Sequence, residues 1–108
     1  MKLIIILLAS WYSIASLTAE GTFKYSKGAM ANGEIFRDDR LTAATYLYPL
    51  GCWLRVTNLS NRKTVKVKVT DRTNKRFAKT RIDLSQLAFS RIAKLERGLV
   101  AVKVERIK

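Results

Sequence analysis

The chain contains no histidine among its 108 residues. This absence excludes a Ser-His-Asp triad, an imidazole base that titrates near neutral pH, and zinc sites built on histidine. Any acid-base chemistry must therefore use carboxylates, lysines or tyrosines. We predict neither a metal site nor a cofactor.

Cysteine is almost as scarce, since Cys52 is the only one. A single cysteine cannot form an intramolecular disulfide. Cys52 lies between Gly51 and Trp53, just before an apolar run. That position favours a buried structural thiol over a reactive one.

Acidic residues are also few, with 8 Asp and Glu against 21 Lys and Arg, so the net charge is +13. A charge of this sign favours anionic or phosphate-bearing partners. Between residues 62 and 81, nine basic residues accompany one acid, Asp71. Such a run is usually a solvated face, but it also suits binding to an anionic polymer that weakens with salt.

The length allows one domain with one modest core. At its start, Lys2 forms a minimal positive region, residues 3–9 are apolar, and small residues follow. This order predicts a signal peptide over residues 1–19, cleaved after Ala15 or Ala19, and a mature domain over residues 20–108. An uncleaved anchor is the alternative, because residues 3–19 fall just short of the ~20 that span a bilayer.

Cleavage predicts a secreted, periplasmic or cell-envelope protein without stable membrane insertion, and we expect a monomer. No cysteine lies near the predicted cleavage sites to carry a lipid.

Short apolar or alternating runs separated by turn residues predict six strands. They cover residues 21–25, 41–45, 53–59, 64–70, 81–84 and 99–107. In the fourth, Val65, Val67 and Val69 alternate with Lys66 and Lys68. One helix is predicted from the cap Ser85 to Gly98, with apolar residues at 84, 88, 92 and 95. These elements favour a small closed barrel, because closure removes exposed strand edges.

Six short segments occur in an order and spacing that resemble the rare lipoprotein A (RlpA) family over residues 21–107. They are Ala31–Glu34, Leu41–Ala44, Pro49–Gly51, Val56–Leu59, Val65–Arg72 and Ile82–Ser85. The resemblance implies a six-stranded double-psi β-barrel with one short helix, a fold shared with the first domain of expansins. It also implies lytic cleavage of peptidoglycan glycan strands, preferably strands without stem peptides.

The resemblance also implies the site residues. The family's catalytic carboxylates fall on Glu34 and Asp71, and the family's histidine is replaced by Thr45. Asp83 matches an aspartate that is important in expansins, although it is equally well explained as a helix-entry residue. We predict substrate contacts for Thr45, Asp83, Arg72 and Tyr25.

The chemistry requires an acid that later acts as a base, and we assign it to Glu34 beside the apolar Ile35 and Phe36. Asp71 would stabilise the oxocarbenium-like transition state. Without the resemblance, an acid after an Asn-Gly turn or at a strand end is more often a solvated loop or turn residue.

Two other functions remain as hypotheses. The first is a non-catalytic, expansin-like module that binds or loosens cell-wall glycan, which the missing histidine favours. The second is a cationic protein that binds nucleic acid or membranes. It ranks last, because the sequence has no recognisable nucleic-acid motif or amphipathic basic helix. We therefore predict peptidoglycan glycan strands as the partner and no nucleic acid.

Overall fold

The computed structural model describes residues 4–12, 30–31, 33 and 39–107. Six strands in these residues close into a barrel in the order β1-β5-β2-β4-β3-β6. They are β1 (Ile4–Tyr12), β2 (Thr42–Ala44), β3 (Trp53–Asn58), β4 (Thr64–Asp71), β5 (Arg81–Ser85) and β6 (Val100–Ile107). The pairs β1/β5 and β2/β4 are parallel and the other neighbours are antiparallel. The prediction of a closed six-stranded barrel is confirmed.

Alternating apolar side chains fill the barrel. Val65, Val67 and Val69 of β4 are buried, whereas Lys66 between them is exposed. The other fully buried large apolar side chains are Leu54, Val56, Ile82, Leu84, Phe89, Ile92, Val102 and Val104. Each of them stabilises the fold by roughly 1.5–3 kcal/mol through removal of apolar surface from water.

The barrel begins earlier than the sequence analysis predicts. β1 lies between β5 and β6, and it is hydrogen-bonded to both. Leu7 and Ala9 of this strand are buried in the core. Cleavage after Ala15 or Ala19 would remove the whole strand and open the barrel. The domain boundary at residue 20 remains a prediction. The predicted strand over residues 21–25 lies outside the described residues.

The predicted helix is split in two. α1 (Gln86–Ser90) begins at the predicted cap, where the Ser85 hydroxyl accepts a hydrogen bond from the Ala88 amide. The chain then turns extended at Lys94 and forms a short 3-10 helix, Leu95–Arg97, that ends at Gly98. The side-chain amides of Asn58 and Asn61 both donate to the Ile92 carbonyl, which occupies an acceptor that a continuous helix would use.

No helix in the described part of the chain combines the length and the hydropathy needed to cross a bilayer.

Candidate active site

A bulge in the sheet determines which way Asp71 faces. The inward alternation of Val65, Val67 and Val69 would place residue 71 inside the barrel. However, Ala43 pairs with Val69 and Ala44 pairs with Asp71, so Thr70 is an extra residue in β4. A bulge of this kind reverses the alternation and redirects the side chain that follows. The Asp71 carboxylate is therefore on the outer face of the barrel.

A second carboxylate lies in the same row across the sheet. Ser10 pairs with Asp83, Asp83 pairs with Ala44, and Ala44 pairs with Asp71. Residues opposite each other on neighbouring strands share a face, so both carboxylates flank the small Ala44 on the outside of the barrel. Two strand spacings separate their backbones by roughly 10 Å. The structure thus brings the predicted Asp71 and Asp83 to one surface.

Asp83 connects two other parts of the chain. One of its carboxylate oxygens accepts a hydrogen bond from the Ser10 hydroxyl of β1. The other accepts from the Thr73 hydroxyl at 2.5 Å, in the loop that follows β4. Both carboxylate oxygens are thereby engaged with the protein itself, and Asp83 holds β1 and this loop together.

The contacts of Asp83 lead to a stability prediction. Asp83→Ala should lower the free energy of unfolding by about 1.5–3 kcal/mol, because it removes hydrogen bonds to a charged group from a half-buried site. Thr73→Val removes one of these bonds and should cost less. The exposed Glu96→Ala is the matched control, with a change within about 0.5 kcal/mol. Urea unfolding would measure all three, and equal effects of Asp83→Ala and Glu96→Ala would contradict this role.

Asp71 holds the turn that leads to Glu34. Its Oδ1 accepts hydrogen bonds from the backbone amides of Ala31 at 2.9 Å and Arg72 at 2.8 Å. Within the same turn, the Gly33 amide donates to the Met30 carbonyl at 2.8 Å. Gly33 has a φ of 88°, which favours glycine. The Ala-Asn-Gly-Glu motif and Asp71 are therefore joined at Ala31, whereas Glu34 and Tyr25 lie outside the described residues.

Tyr12 belongs to this site, although the sequence analysis did not identify it. Its register with Ser85 places it on the same outer face as Ser10 and Asp83. Burial raises the pKa of Tyr12, and the charges of Asp71 and Asp83 raise it further. A phenol is protonated near neutral pH even at its ordinary pKa, and both effects favour this form further. The signal that could have revealed it is the placement of Ser10 and Tyr12 at alternate positions directly after an apolar run.

Arg72 is half-buried, and its guanidinium group contacts the protein. One guanidinium nitrogen donates to the carbonyls of Thr45 and Tyr48, each at 2.7 Å. The guanidinium also lies over the Tyr46 ring, 5.8 Å from its centroid. Arg72 therefore fixes the connection between β2 and β3.

Thr45 is fully buried, and its hydroxyl accepts a hydrogen bond from the Leu47 amide at 3.1 Å. Burial and this hydrogen bond give Thr45 a structural role in the connection that follows β2. Its contact with substrate remains a prediction.

An open cleft of about 900 Å³ lies on the outer face of the barrel, and neither Asp71 nor Asp83 is among its described lining residues. Its described lining consists of Met30, Gly33, Asp39, Arg40, Leu41, Thr42, Trp53, Lys68, Thr70 and Leu87. Gly33 directly precedes Glu34 and Thr70 directly precedes Asp71. In the sequence, each of the predicted catalytic residues Glu34 and Asp71 therefore comes directly after a residue that lines the cleft.

Cys52 is buried, as predicted. Burial raises the pKa of its thiol, although the nearby charges of Arg106 and Arg72 oppose this effect. A raised pKa leaves less thiolate at a given pH. At mildly alkaline pH, labelling by a thiol reagent should therefore be at least about tenfold slower in the folded protein than in the unfolded chain. Equal labelling rates would contradict this prediction.

Within residues 4–12, 30–31, 33 and 39–107, no three cysteine or acidic side chains are grouped so that they could hold a metal ion.

The chain is similar to several curated proteins. It is 42% identical over 78 residues to an uncharacterized Synechocystis protein, covering 72% of this chain and 81% of that protein. It is 41% identical over 99 residues to the endolytic peptidoglycan transglycosylase RlpA of Pseudomonas aeruginosa. That alignment covers 92% of this chain but only 26% of the relative. The corresponding protein of Rickettsia bellii is 39% identical over 98 residues, 90% of this chain and 40% of the relative.

Solved structures share the fold at low identity. The Streptomyces papain inhibitor superposes with a TM-score of 0.74 at 22% identity, covering 98% of this chain and 96% of the inhibitor. An expansin of Clavibacter michiganensis in complex with cellohexaose gives a TM-score of 0.67 at 19% identity, covering 98% of this chain and 51% of the expansin.

The family model described as lytic transglycolase matches residues 6–104, nearly the whole chain and most of β1. The match agrees with the closed mixed barrel and with the RlpA relatives. The chain therefore belongs to the lytic transglycolase family of RlpA-like double-psi β-barrel domains.

Proposed function

We propose that this domain is an exported peptidoglycan lytic transglycosylase that prefers glycan strands without stem peptides, with Glu34 and Asp71 as its catalytic residues. The observation that carries the proposal is the bond from the Ala31 amide to the Asp71 carboxylate. It connects the Ala-Asn-Gly-Glu motif to an outward-facing acid that directly follows Thr70, a residue that lines the open cleft. The RlpA relatives support peptidoglycan as the substrate.

The proposed reaction consumes no water. The carboxyl group of Glu34 protonates the glycosidic oxygen, and the bond from that oxygen to C1 of the muramyl residue breaks. The carboxylate then takes the proton of the muramyl 6-hydroxyl as its oxygen closes onto C1 and forms a 1,6-anhydro ring. One carboxyl group acts first as an acid and then as a base, so proton transfer balances.

The second carboxylate stabilises positive charge on the sugar ring in the transition state, as paired carboxylates do in glycosidases. Asp71 suits this role because it faces outward next to the turn that precedes Glu34. Its Oδ1 is already engaged by two amides, which fixes the direction of the side chain.

Purified domain incubated with glycan strands free of stem peptides should release fragments with 1,6-anhydromuramyl ends, identified by chromatography. Strands that retain their peptides should react more slowly. Glycan binding without any such fragments would contradict the enzymatic proposal.

The alternative is a non-catalytic, expansin-like module that binds cell-wall glycan. The burial of Thr45 favours it, because the residue at the position of the family's histidine has no surface in the cleft. In this case Asp71 and the cleft would hold a glycan without cleaving it. Measured binding to glycan with no released fragments, for the wild-type protein as well as its variants, would favour the module over the enzyme.

Export, a cell-envelope location and a monomeric state remain predictions. The first two rest on the proposed substrate, because the segment assigned to a signal peptide includes a strand of the barrel.

A further inference from the structure

One aromatic residue of the barrel is exposed where it lines the cleft. Trp53 begins β3, and 44% of its surface is accessible to solvent. The indole is a wall of the cleft that also contains Thr42 and Thr70. An exposed indole in a concave surface offers an apolar face against which the C–H face of a pyranose ring can stack.

Two cations line the cleft on the side of this indole that faces β4 and β2. Lys68 is directly opposite Trp53 in the register of β3 and β4, so their Cβ atoms are roughly 5 Å apart. Arg40 lines the cleft from the segment before β2, and its carbonyl accepts a hydrogen bond from the Ser85 hydroxyl at 2.6 Å. Asp39 is the one acid among the described lining residues, so these residues carry one net positive charge.

We propose that Trp53, Lys68 and Arg40 form a subsite for a pyranose that carries a free carboxylate. The ring stacks on the indole, and the carboxylate pairs with the ammonium or guanidinium group. This inference rests on the proposed function and deepens it. A muramyl residue without a stem peptide has a free lactyl carboxylate, whereas an attached peptide converts that group into an uncharged amide.

The subsite explains how the domain could select its substrate without touching the scissile bond. A neutral sugar can still stack on Trp53, but it gains nothing from the two cations. A strand with stem peptides loses the charge that Lys68 and Arg40 recognise. Selection therefore depends on one charged group of the substrate, and it should weaken at high salt.

The test measures the affinity of the full chain for two probes, stem-peptide-free glycan and neutral chitooligosaccharide. Lys68→Gln should weaken binding of the acidic glycan by about tenfold and leave the neutral oligosaccharide within twofold, because only the ion pair is lost. Lys66→Gln is the matched control, since Lys66 is two residues away on the same strand and outside the described lining of the cleft. The subsite would be overturned if Lys68→Gln and Lys66→Gln lowered the affinity for the acidic glycan equally. It would also be overturned if Lys68→Gln lowered the affinity for both probes equally.

Trp53 is tested separately by fluorescence, because the chain has only two tryptophans. Binding of either probe should change the emission of Trp53, and the change should disappear in Trp53→Phe, a variant that keeps an aromatic ring and is checked by its unfolding curve. A change that persists in this variant would overturn the stacking role. Anhydromuramyl products without this charge selectivity would refute the subsite alone, and selectivity without products would refute the proposed activity alone.

Discussion

Glu34→Gln should reduce the formation of 1,6-anhydromuramyl ends by at least about a hundredfold, because a positioned general acid contributes about 10²–10⁴ to the rate. The amide has nearly the shape of the carboxyl group but cannot donate and then accept the same proton. Glycan affinity should remain within a few fold of the wild type. Product release and binding are measured on the same preparation.

Glu96→Gln is the matched control for this substitution. Glu96 is exposed in the short 3-10 helix Leu95–Arg97, and we expect its variant to react at the wild-type rate. Wild-type activity in Glu34→Gln would place the acid elsewhere. It would contradict the assignment from the Ala-Asn-Gly-Glu motif.

A chain that starts at Glu20 should fail to fold cooperatively. It lacks β1, the strand that joins β5 to β6, together with the buried Leu7 and Ala9. The truncation also removes the hydrogen bond that the Ser10 hydroxyl donates to Asp83. Circular dichroism and a thermal melt would measure the folding of the truncated chain, with the full chain as the reference.

Two point variants test the contribution of β1 to the barrel without truncation. Leu7 is 3% exposed and Ile6 is 58% exposed, so neighbouring residues of β1 face opposite sides. Leu7→Ala should lower the free energy of unfolding by about 2–5 kcal/mol. Ile6→Ala should change it by no more than about 0.5 kcal/mol. A stable fold in the chain that starts at Glu20 would contradict the position of β1 in the barrel.

The sequence predicted five of the six described strands, most clearly where the inner and outer faces of a strand differ in polarity. In β4 the valines face the core and Lys66 faces water, which gives a clear period of two. β1 has no such contrast, since Ile4, Ile6 and Leu8 are apolar although they are exposed. An apolar run of that length at the start of a chain is also typical of a signal peptide. The two explanations cannot be separated without the strands that pair with β1.

Part of the candidate site was predicted from the family resemblance, and part of it could not be predicted from local sequence. The resemblance identified Asp71 and Asp83, and both occur on the outer face. The bulge at Thr70 depends on the pairing of β2 with β4, so no local pattern in β4 predicts it. The burial of Thr45 depends on contacts from the following loop, and the split of the helix depends on Asn58 and Asn61. Each of these features comes from residues distant in the sequence or from backbone geometry.

The most direct test of the proposed chemistry is to digest stem-peptide-free glycan with the purified domain in isotopically labelled water and to analyse the new ends by mass spectrometry. Intramolecular closure by the muramyl 6-hydroxyl predicts anhydro ends that contain no oxygen from the solvent. Labelled oxygen at new reducing ends would show hydrolysis and contradict the account.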